Sequence, residues 1–291
     1  MPRRTASRRP DRFAAVPLDR VREFWNRRPC NVRHSPKPVG TREYFDEVEG
    51  RRYFVEPHIP RFADFSSWNG KRVLEIGCGI GTDTMNFARA GAEVTAVDLS
   101  DESIAIARDR ARVLGLEDRI TFYVADAERL RETVPAEPYD LVYSFGVIHH
   151  TPHPERVIAE ILNLYVHDDT MLKVMLYHRR SWKVFWILAT EGRGAFWKLD
   201  ELIAQNSEAQ TGCPVTYAYT SGEAARLLSG FDVVDSQVDF IFPYRIRDYV
   251  EYTYVKNWYF RMLPTRVFRW LERRAGWHLC VTAKPAAGAR G

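Results

Sequence analysis

A glycine-rich turn between a predicted strand and a predicted helix constrains the fold more than any other feature of the sequence. The run RVLEI at 72–76 is short and apolar, as a buried strand is. Three glycines then alternate with other residues over 77–81, before a helix-like run at 82–90. Glycine lets the backbone turn tightly and approach a ligand closely, and the helix N-terminus offers free N–H groups. The segment therefore predicts a cofactor site.

Strand-like and helix-like runs alternate along the middle of the chain. Further strands are predicted at 93–97, 120–124, 139–145 and 170–176, and helices at 101–114 and 154–165. This alternation predicts parallel strands joined by right-handed crossovers, which is a doubly wound α/β sheet. Two later strand-like runs, 231–240 and 277–283, bring the predicted number of strands to seven.

The segments that flank this core, residues 71–178, differ from it in composition. Residues 1–17 are rich in Arg, Pro and Ser, so we predict a disordered basic tail. Residues 18–70 show short helical patterns and are predicted to form an N-terminal helical cap. After the core we expect a helical insertion at 179–230, and then residues 231–291, which hold the last two strands and an aromatic, basic lid insertion at about 243–276.

Local signals predict individual helices inside these flanking segments. In the cap, a helix is expected from 18 to about 31, ended by Pro29, followed by short helices at 41–48 and 57–65. In the lid, Ile246, Tyr249, Val250 and Thr253 fit one face of a first helix. Pro264 and Gly276 bracket a second helix. The segment 240–278 contains twelve aromatic residues, and we expect a lid with aromatic walls and some arginine.

The net charge of +4 is distributed unevenly. Residues 1–33 carry +7 and residues 240–278 carry +5, which leaves −8 on the rest of the chain. The basic ends are compatible either with an anionic substrate or surface, or with solvated arginines. The acidic body argues against a broad phosphate-binding surface, so nucleic acid is not the expected partner.

The spacing of the glycines distinguishes between cofactors. The dinucleotide fingerprint GxGxxG would need its third glycine at position 82, which is Thr82. The third glycine stands one residue earlier, in the pattern GxGxG, and Glu75 precedes the first glycine by two residues. The segment VLEIGCGIG at 73–81 resembles the first motif of the class I S-adenosylmethionine-dependent methyltransferases.

The resemblance continues in order over roughly residues 71–178 and implies a seven-stranded, mostly parallel Rossmann-like sheet. It implies that Asp98 accepts the ribose hydroxyls of S-adenosylmethionine. It also implies that Asp126 and the backbone at Ala127 meet the adenine, and that Phe145 lies against the methionine portion. The cofactor residues that it implies are Glu75, Gly77, Cys78, Gly79, Gly81, Asp98, Leu99, Asp126, Ala127 and Phe145.

The residues after the fourth strand supply the candidates for a catalytic base. In this family a base is needed if the methyl acceptor is a hydroxyl or a protonated amine. His150, and after it His149, are the candidates, because histidine titrates near neutral pH and both follow a strand end. The alternative is that the pair holds its loop through backbone hydrogen bonds. Upstream, Arg33 or Arg52 could pair with the cofactor carboxylate.

The resemblance implies a methyltransferase that acts on a small-molecule metabolite, with O- or N-methylation expected, and that releases S-adenosylhomocysteine. Two alternatives stay open. One is an RNA or protein methyltransferase, although the sequence SFGV at 144–147 lacks the Asn/Asp-Pro-Pro-Tyr motif of base and glutamine methylation. The other is a methyltransferase fold that catalyses a different reaction, since fold does not fix function.

The remaining composition bears on location and metals. The four cysteines are scattered without a CxxC pair, so we expect neither a zinc site nor a disulfide framework. No run approaches the ~20 apolar residues of a membrane span, and the basic N-terminus precedes no hydrophobic region. A cytoplasmic location is the expectation, and the sequence leaves the oligomeric state open.

Overall fold

The described part of the chain folds around a seven-stranded sheet. The computed structural model describes residues 13–210 and 212–288. The strands are β1 (Arg72–Ile76), β2 (Glu93–Asp98), β3 (Ile120–Val124), β4 (Tyr139–Phe145), β5 (Val166–Tyr177), β6 (Phe231–Asp239) and β7 (His278–Pro285). Their order across the sheet is β3-β2-β1-β4-β5-β7-β6. Strand β7 is antiparallel to both of its neighbours, and the pairs from β3 to β5 are parallel.

Helices cover both faces of the sheet and form the flanking segments. They are α1 (Leu18–Arg27), α2 (Arg42–Val55), α3 (Ile59–Ala63), α4 (Thr82–Arg89), α5 (Asp101–Leu114), α6 (Pro154–Leu164), α7 (Trp182–Thr190), α8 (Leu199–Gln210), α9 (Ser221–Leu227), α10 (Ile246–Val250), α11 (Trp258–Arg261) and α12 (Thr265–Ala275). Their ends follow local chemistry. The Ser100 hydroxyl caps α5 by accepting the N–H of Ser103, and Gly115 ends that helix at φ 67°.

The hydrophobic core lies on both faces of the central strands. Leu74 of β1 belongs to a buried cluster with Ile161 of α6, whereas its neighbour Val73 belongs to a second cluster with Ala107 of α5. Successive side chains of a strand point to opposite faces, so a strand that is buried on both sides must be apolar throughout. This is why the predicted run at 72–76 forms a central strand.

The structure confirms the predicted doubly wound α/β sheet and its seven strands, and it changes some boundaries. Helix α1 ends at Arg27 because the proline at 29 disfavours helical geometry in the residue before it. The helix predicted at 41–48 continues through Gly50 to Val55, since Val48 and Val55 are buried and their packing outweighs the weak helix propensity of glycine.

Only the last residues of the predicted basic tail, residues 1–17, belong to the described part of the chain. Residues 1–12 of the predicted basic tail lie outside the described residues. The last part of that tail forms a turn in which the Val16 N–H donates to the Phe13 carbonyl, and the Phe13 ring packs edge-on against Tyr217 at 5.0 Å. Among the described helices none is long and apolar enough to cross a membrane.

Candidate active site

The glycine turn between β1 and α4 adopts a backbone conformation that side chains rarely tolerate. Gly77, Gly79 and Gly81 have φ of 81°, 54° and 76°, in the left-handed region. A Cβ added to Gly77 would also lie 2.0 Å from Cγ2 of Val147. The N–H of Gly79 donates to Oδ2 of Asp98 at 2.8 Å, so the turn is held against the carboxyl end of β2.

A cavity of about 250 Å³ lies at the carboxyl ends of β1, β2 and β4. This edge of the sheet is where ligands bind in open α/β folds. Nine of the ten predicted cofactor residues line the cavity: Glu75, Gly77, Cys78, Gly79, Asp98, Leu99, Asp126, Ala127 and Phe145. The tenth, Gly81, faces α5, where an added Cβ would lie 3.2 Å from Cβ of Ala107. Its lack of a side chain therefore serves helix packing.

Residues of the N-terminal segment line this cavity, whereas no described residue of the later insertions does. Five residues of the cap's first segment line the cavity: Leu18, Val21, Trp25, Cys30 and Asn31. Helix α1 is attached to α5 by a 2.7 Å hydrogen bond from Asn26 to Asp101. No described residue between 179 and 276 lines the cavity, so the expected aromatic walls from the lid are not part of it.

Asp98 is positioned to accept hydrogen bonds from a ligand. Its Oδ2 accepts from Gly79 and its Oδ1 from the Ser100 N–H at 2.9 Å. A carboxylate has about four lone-pair sites, and the Leu99 backbone also contributes a hydrogen bond, so at least one oxygen lone pair can still accept from a donor in the cavity. Burial raises the pKa of Asp98, and the backbone N–H groups of Ser100 and Gly79 oppose that rise. A hydroxyl group of a ligand would supply such a donor.

Asp126 and Phe145 border the same cavity at the ends of β3 and β4. Oδ1 of Asp126 accepts the N–H of Glu128 at 2.9 Å, which caps the short helical turn that begins at Ala127. The Phe145 ring stacks with Tyr143 at 6.2 Å. One wall of the cavity is therefore an aromatic face, and another presents a carboxylate.

A buried charged cluster lies next to the glycine turn and borders the cavity. Asp83, in the first turn of α4, is 2% exposed and pairs with Arg52 at 3.0 Å. The hydroxyls of Tyr53 and Tyr143 donate to the same carboxylate at 2.9 and 3.1 Å. Arg52 also lines the cavity, with its guanidinium carbon 5.7 Å from the centre of the Phe145 ring. Of the two arginines suggested for the cofactor carboxylate, Arg52 is thus at the cavity.

Glu75 has an altered ionisation in this cluster. Burial, and after it the negative charge of Asp83, raise the pKa of Glu75 to about 8. The Thr84 hydroxyl donates to Oε2 of Glu75 at 2.5 Å. A protonated Glu75 can donate a hydrogen bond into the cavity at neutral pH, whereas an ionised one can only accept. Cys78 is a neutral filler beside it, because burial raises the pKa of its thiol well above the usual value.

The two predicted base candidates occupy different positions. His150 lines the cavity, and its Nδ1 lies 2.7 Å from the carbonyl oxygen of Val215. That contact assigns the proton to Nδ1 and the lone pair to Nε2. His149 does not line the cavity and packs 3.9 Å from the Tyr177 ring. Burial, and after it His150, lower the pKa of His149 well below the usual value.

The polar residues that line the same cavity without having been predicted from the sequence include Glu56 and His278. Oε1 of Glu56 lies 3.7 Å from Nε2 of His278. Glu56 follows α2, and His278 begins β7, 222 positions later. No local pattern could show this pairing, because only the tertiary fold brings the two positions together.

A family model for the methyltransferase domain matches residues 73–167. The matched segment contains the glycine turn, Asp98 and Asp126, which contribute to the lining of the cavity. This segment is a class I methyltransferase domain. The chain is 38% identical over 94 residues to a ubiquinone biosynthesis O-methyltransferase of Nitrosococcus oceani. The alignment covers 32% of this chain and spans about two fifths (39%) of that relative.

Solved structures share the methyltransferase fold over most of the chain. Magnesium protoporphyrin IX methyltransferase from Synechocystis PCC 6803 with bound SAH has a TM-score of 0.55 at 17% identity, covering 93% of this chain and 100% of that one. The [4+2]-cyclase SpnF has a TM-score of 0.52 at 20% identity, covering 77% and 80%. At these identities the likeness concerns the fold, and the second structure shows that the fold also occurs in a cyclase.

Proposed function

We propose that the chain transfers the methyl group of S-adenosylmethionine to a small-molecule acceptor, by O- or N-methylation. The observation that carries this proposal is one cavity whose lining combines two chemically different groups of residues. One group is the glycine turn, Asp98 and Asp126, which suit an adenosine. In the other group, which suits a polar acceptor group, the rings of His150 and His278 lie 5.4 and 6.3 Å from that of Tyr177, and Glu56 lies 3.7 Å from His278.

The residues present fit S-adenosylmethionine. The Asp98 carboxylate suits the hydroxyls of a ribose, and Asp126 with the backbone at Ala127 suits the edge of an adenine. Phe145 offers an apolar surface to the methionine chain, and Arg52 lies nearby for its carboxylate. When bound, the cofactor supplies a methyl group that is already activated on a sulfonium.

The protein's own contribution is then to position the acceptor and exclude water. Aligning two reactants in a covered site removes much of the entropic barrier, which is worth up to roughly 7–11 kcal/mol in well-oriented systems. Helix α1 contributes Leu18, Val21 and Trp25 to the lining of the cavity. Among the described residues, no three His, Cys, Asp or Glu side chains are grouped to hold a metal ion.

A small acceptor is favoured over a macromolecule by the cavity and by charge. The cavity has about 250 Å³, and residues of α1 form part of its lining. The chain outside its two basic segments carries −8, which would repel a polyanion. The relative from Nitrosococcus oceani is a ubiquinone biosynthesis O-methyltransferase, and hydroxylated compounds are therefore the first acceptors to examine. A cytoplasmic location remains a prediction.

The test is a turnover screen of the full chain with methyl-labelled S-adenosylmethionine against phenols, catechols, hydroxy acids and amines. We expect S-adenosylhomocysteine and a labelled product to form in equal amounts with at least one class of acceptor, and neither to form without acceptor. Conversion of a compound with no release of S-adenosylhomocysteine would instead favour a non-methylation reaction. That second function is kept because a cyclase shares the fold.

A further inference from the structure

Two buried histidines connect the main cavity with a second cavity. His278, the first residue of β7, lines the main cavity. Its Nδ1 lies 2.9 Å from Nε2 of His58, which precedes α3. His58 lines a second cavity of about 130 Å³. Each histidine is 4% exposed, and the contact between the rings offers a proton a direct route between the cavities.

His278 is the member of this pair that lies among the residues proposed to hold the acceptor. Nε2 of His278 and Oε1 of Glu56 are 3.7 Å apart, beyond the range of a direct hydrogen bond. An acceptor hydroxyl in the cavity could lie within reach of both atoms. Burial lowers the pKa of His278 well below its usual value, and His58, Lys183 and Arg52 add to the effect. The ring is therefore neutral and able to accept a proton.

Aromatic side chains fix the orientation of both imidazole rings. The Phe145 ring meets His278 edge-on at 5.5 Å, and Tyr177 stacks over it at 6.3 Å. Phe240 stacks on His58 at 5.5 Å and lies 4.6 Å from His278. Two rings held in this way keep their nitrogens aligned, which proton transfer across a 2.9 Å contact requires.

The second cavity offers a polar exit. Asp235, Asp239, Lys173 and Arg61 line it together with His58, and Asp239 pairs with Arg61. Burial lowers the pKa of His58 to about 4, with Asp239 opposing and Arg61 contributing to the fall. Arg52 also lowers the pKa of His58, and Asp83 raises it. A proton that reaches His58 is therefore passed on readily to water in this cavity.

We propose that His278 accepts the proton that the methyl acceptor loses, and that His58 carries it out to the second cavity. This inference rests on the proposed methyltransferase function. The acceptor's O–H bond breaks, its electron pair forms the bond to the methyl carbon, and the carbon–sulfur bond breaks with its electrons left on sulfur. The proton binds Nε2 of His278, the Nδ1 proton of that ring moves to Nε2 of His58, and the Nδ1 proton of His58 leaves to solvent.

The experiment compares acceptors that must lose a proton with acceptors that are already ionised. Turnover is measured for an unsubstituted phenol and for a nitrophenol ionised at the assay pH. The variants are His278→Gln, His58→Gln and His150→Gln, the last being the base predicted from the sequence. S-adenosylhomocysteine affinity and circular dichroism report whether each variant is folded with an intact cofactor site.

We expect His278→Gln to slow methylation of the unsubstituted phenol by about 10²–10⁴-fold, the usual contribution of general acid–base catalysis, and that of the ionised phenol by less than about tenfold. His58→Gln should show the same selectivity with a smaller loss, so the inference stays testable if His278→Gln does not fold. Equal losses for both phenols in these variants, or a selective loss confined to His150→Gln, would overturn it. No product with any acceptor in the wild type would overturn the proposed function as well.

Discussion

The turn at Gly77 shows how one position can combine two separate constraints. Its φ of 81° is strained for any residue with a Cβ, and its Cα also faces Val147 of the loop after β4. Gly115, at the end of α5, has a similar φ of 67° but open space where a Cβ would lie. Comparing alanine substitutions at the two glycines therefore distinguishes the cost of backbone strain from the cost of steric contact.

Replacing Gly115 with alanine should lower the free energy of unfolding by about 1–2 kcal/mol, the cost of a left-handed conformation for an alanine. Gly77→Ala should lose about 1–3 kcal/mol more, because the new Cβ forces Val147 to move. Urea unfolding followed by circular dichroism measures both values. Equal losses in the two variants would show that Val147 does not restrict this position.

At the scale of single residues, site residues that follow the end of a strand could be predicted from the sequence. Residues that come into contact only through the tertiary fold could not. Asp98 and Asp126 could be placed at the cavity because parallel strands end at one edge of the sheet. His58 and His278 are 220 positions apart, and neither follows a parallel strand. Their contact depends on β7 running antiparallel beside β5, which no local pattern specifies.

At the scale of elements, helix α2 links the lid to the glycine turn through adjacent arginines. Arg52 pairs with Asp83 behind the turn. Arg51 points to the lid, where its guanidinium carbon lies 4.1 Å from the centre of the Tyr249 ring and 4.3 Å from that of Tyr252. It also donates to the Tyr249 carbonyl. The predicted aromatic lid thus packs on a cation of the cap.

Removing that cation should loosen the lid segment. For Arg51→Met we expect amide hydrogen exchange in residues 244–256 to accelerate about tenfold or more, since two cation–π contacts are worth about 1–4 kcal/mol together. Arg42→Met, at an exposed position of the same helix, serves as the control. Unchanged exchange in the lid of Arg51→Met would show that other contacts hold the segment in place.

The sequence predicted where the elements of the core lie better than it predicted those of the cap and the lid. Strands such as β3 and β4 were predicted to the residue because they are short runs rich in β-branched and aromatic residues. The helix expected at 41–48 extends to Val55, since buried contacts of Val48 and Val55 outweigh Gly50. In the lid, the helical pattern that starts at Ile246 ends at Val250, and Tyr252 adopts a φ of 61°.

At the scale of the whole molecule, several histidines are kept neutral by burial. Burial is the main cause that lowers the pKa of five of them: His34, His58, His149, His178 and His278. In the unfolded chain each would titrate near 6.5. The folded state therefore binds fewer protons than the unfolded state below that pH, and acid should favour unfolding.

We expect the contribution of these histidines to the free energy of unfolding to rise from about pH 4 to 6.5, whereas Glu75, whose pKa burial raises to about 8, contributes with the opposite sign. For His58, whose pKa is lowered to about 4, the contribution is about 3 kcal/mol. His58→Gln should therefore flatten the pH dependence. Urea titrations at half-unit pH steps measure this. An unchanged slope in His58→Gln would contradict the assignment.

The cofactor site itself can be examined by calorimetric titration of the full chain with S-adenosylhomocysteine. We expect one molecule to bind per chain, and Asp98→Ala to weaken binding about 10- to 100-fold, because charge-assisted hydrogen bonds worth about 1.5–3 kcal/mol are lost. Asp118→Ala, an exposed carboxylate away from the cavity, should bind like the wild type. Absence of binding in the wild type, or unchanged affinity in Asp98→Ala, would contradict the assignment of this cavity to S-adenosylmethionine.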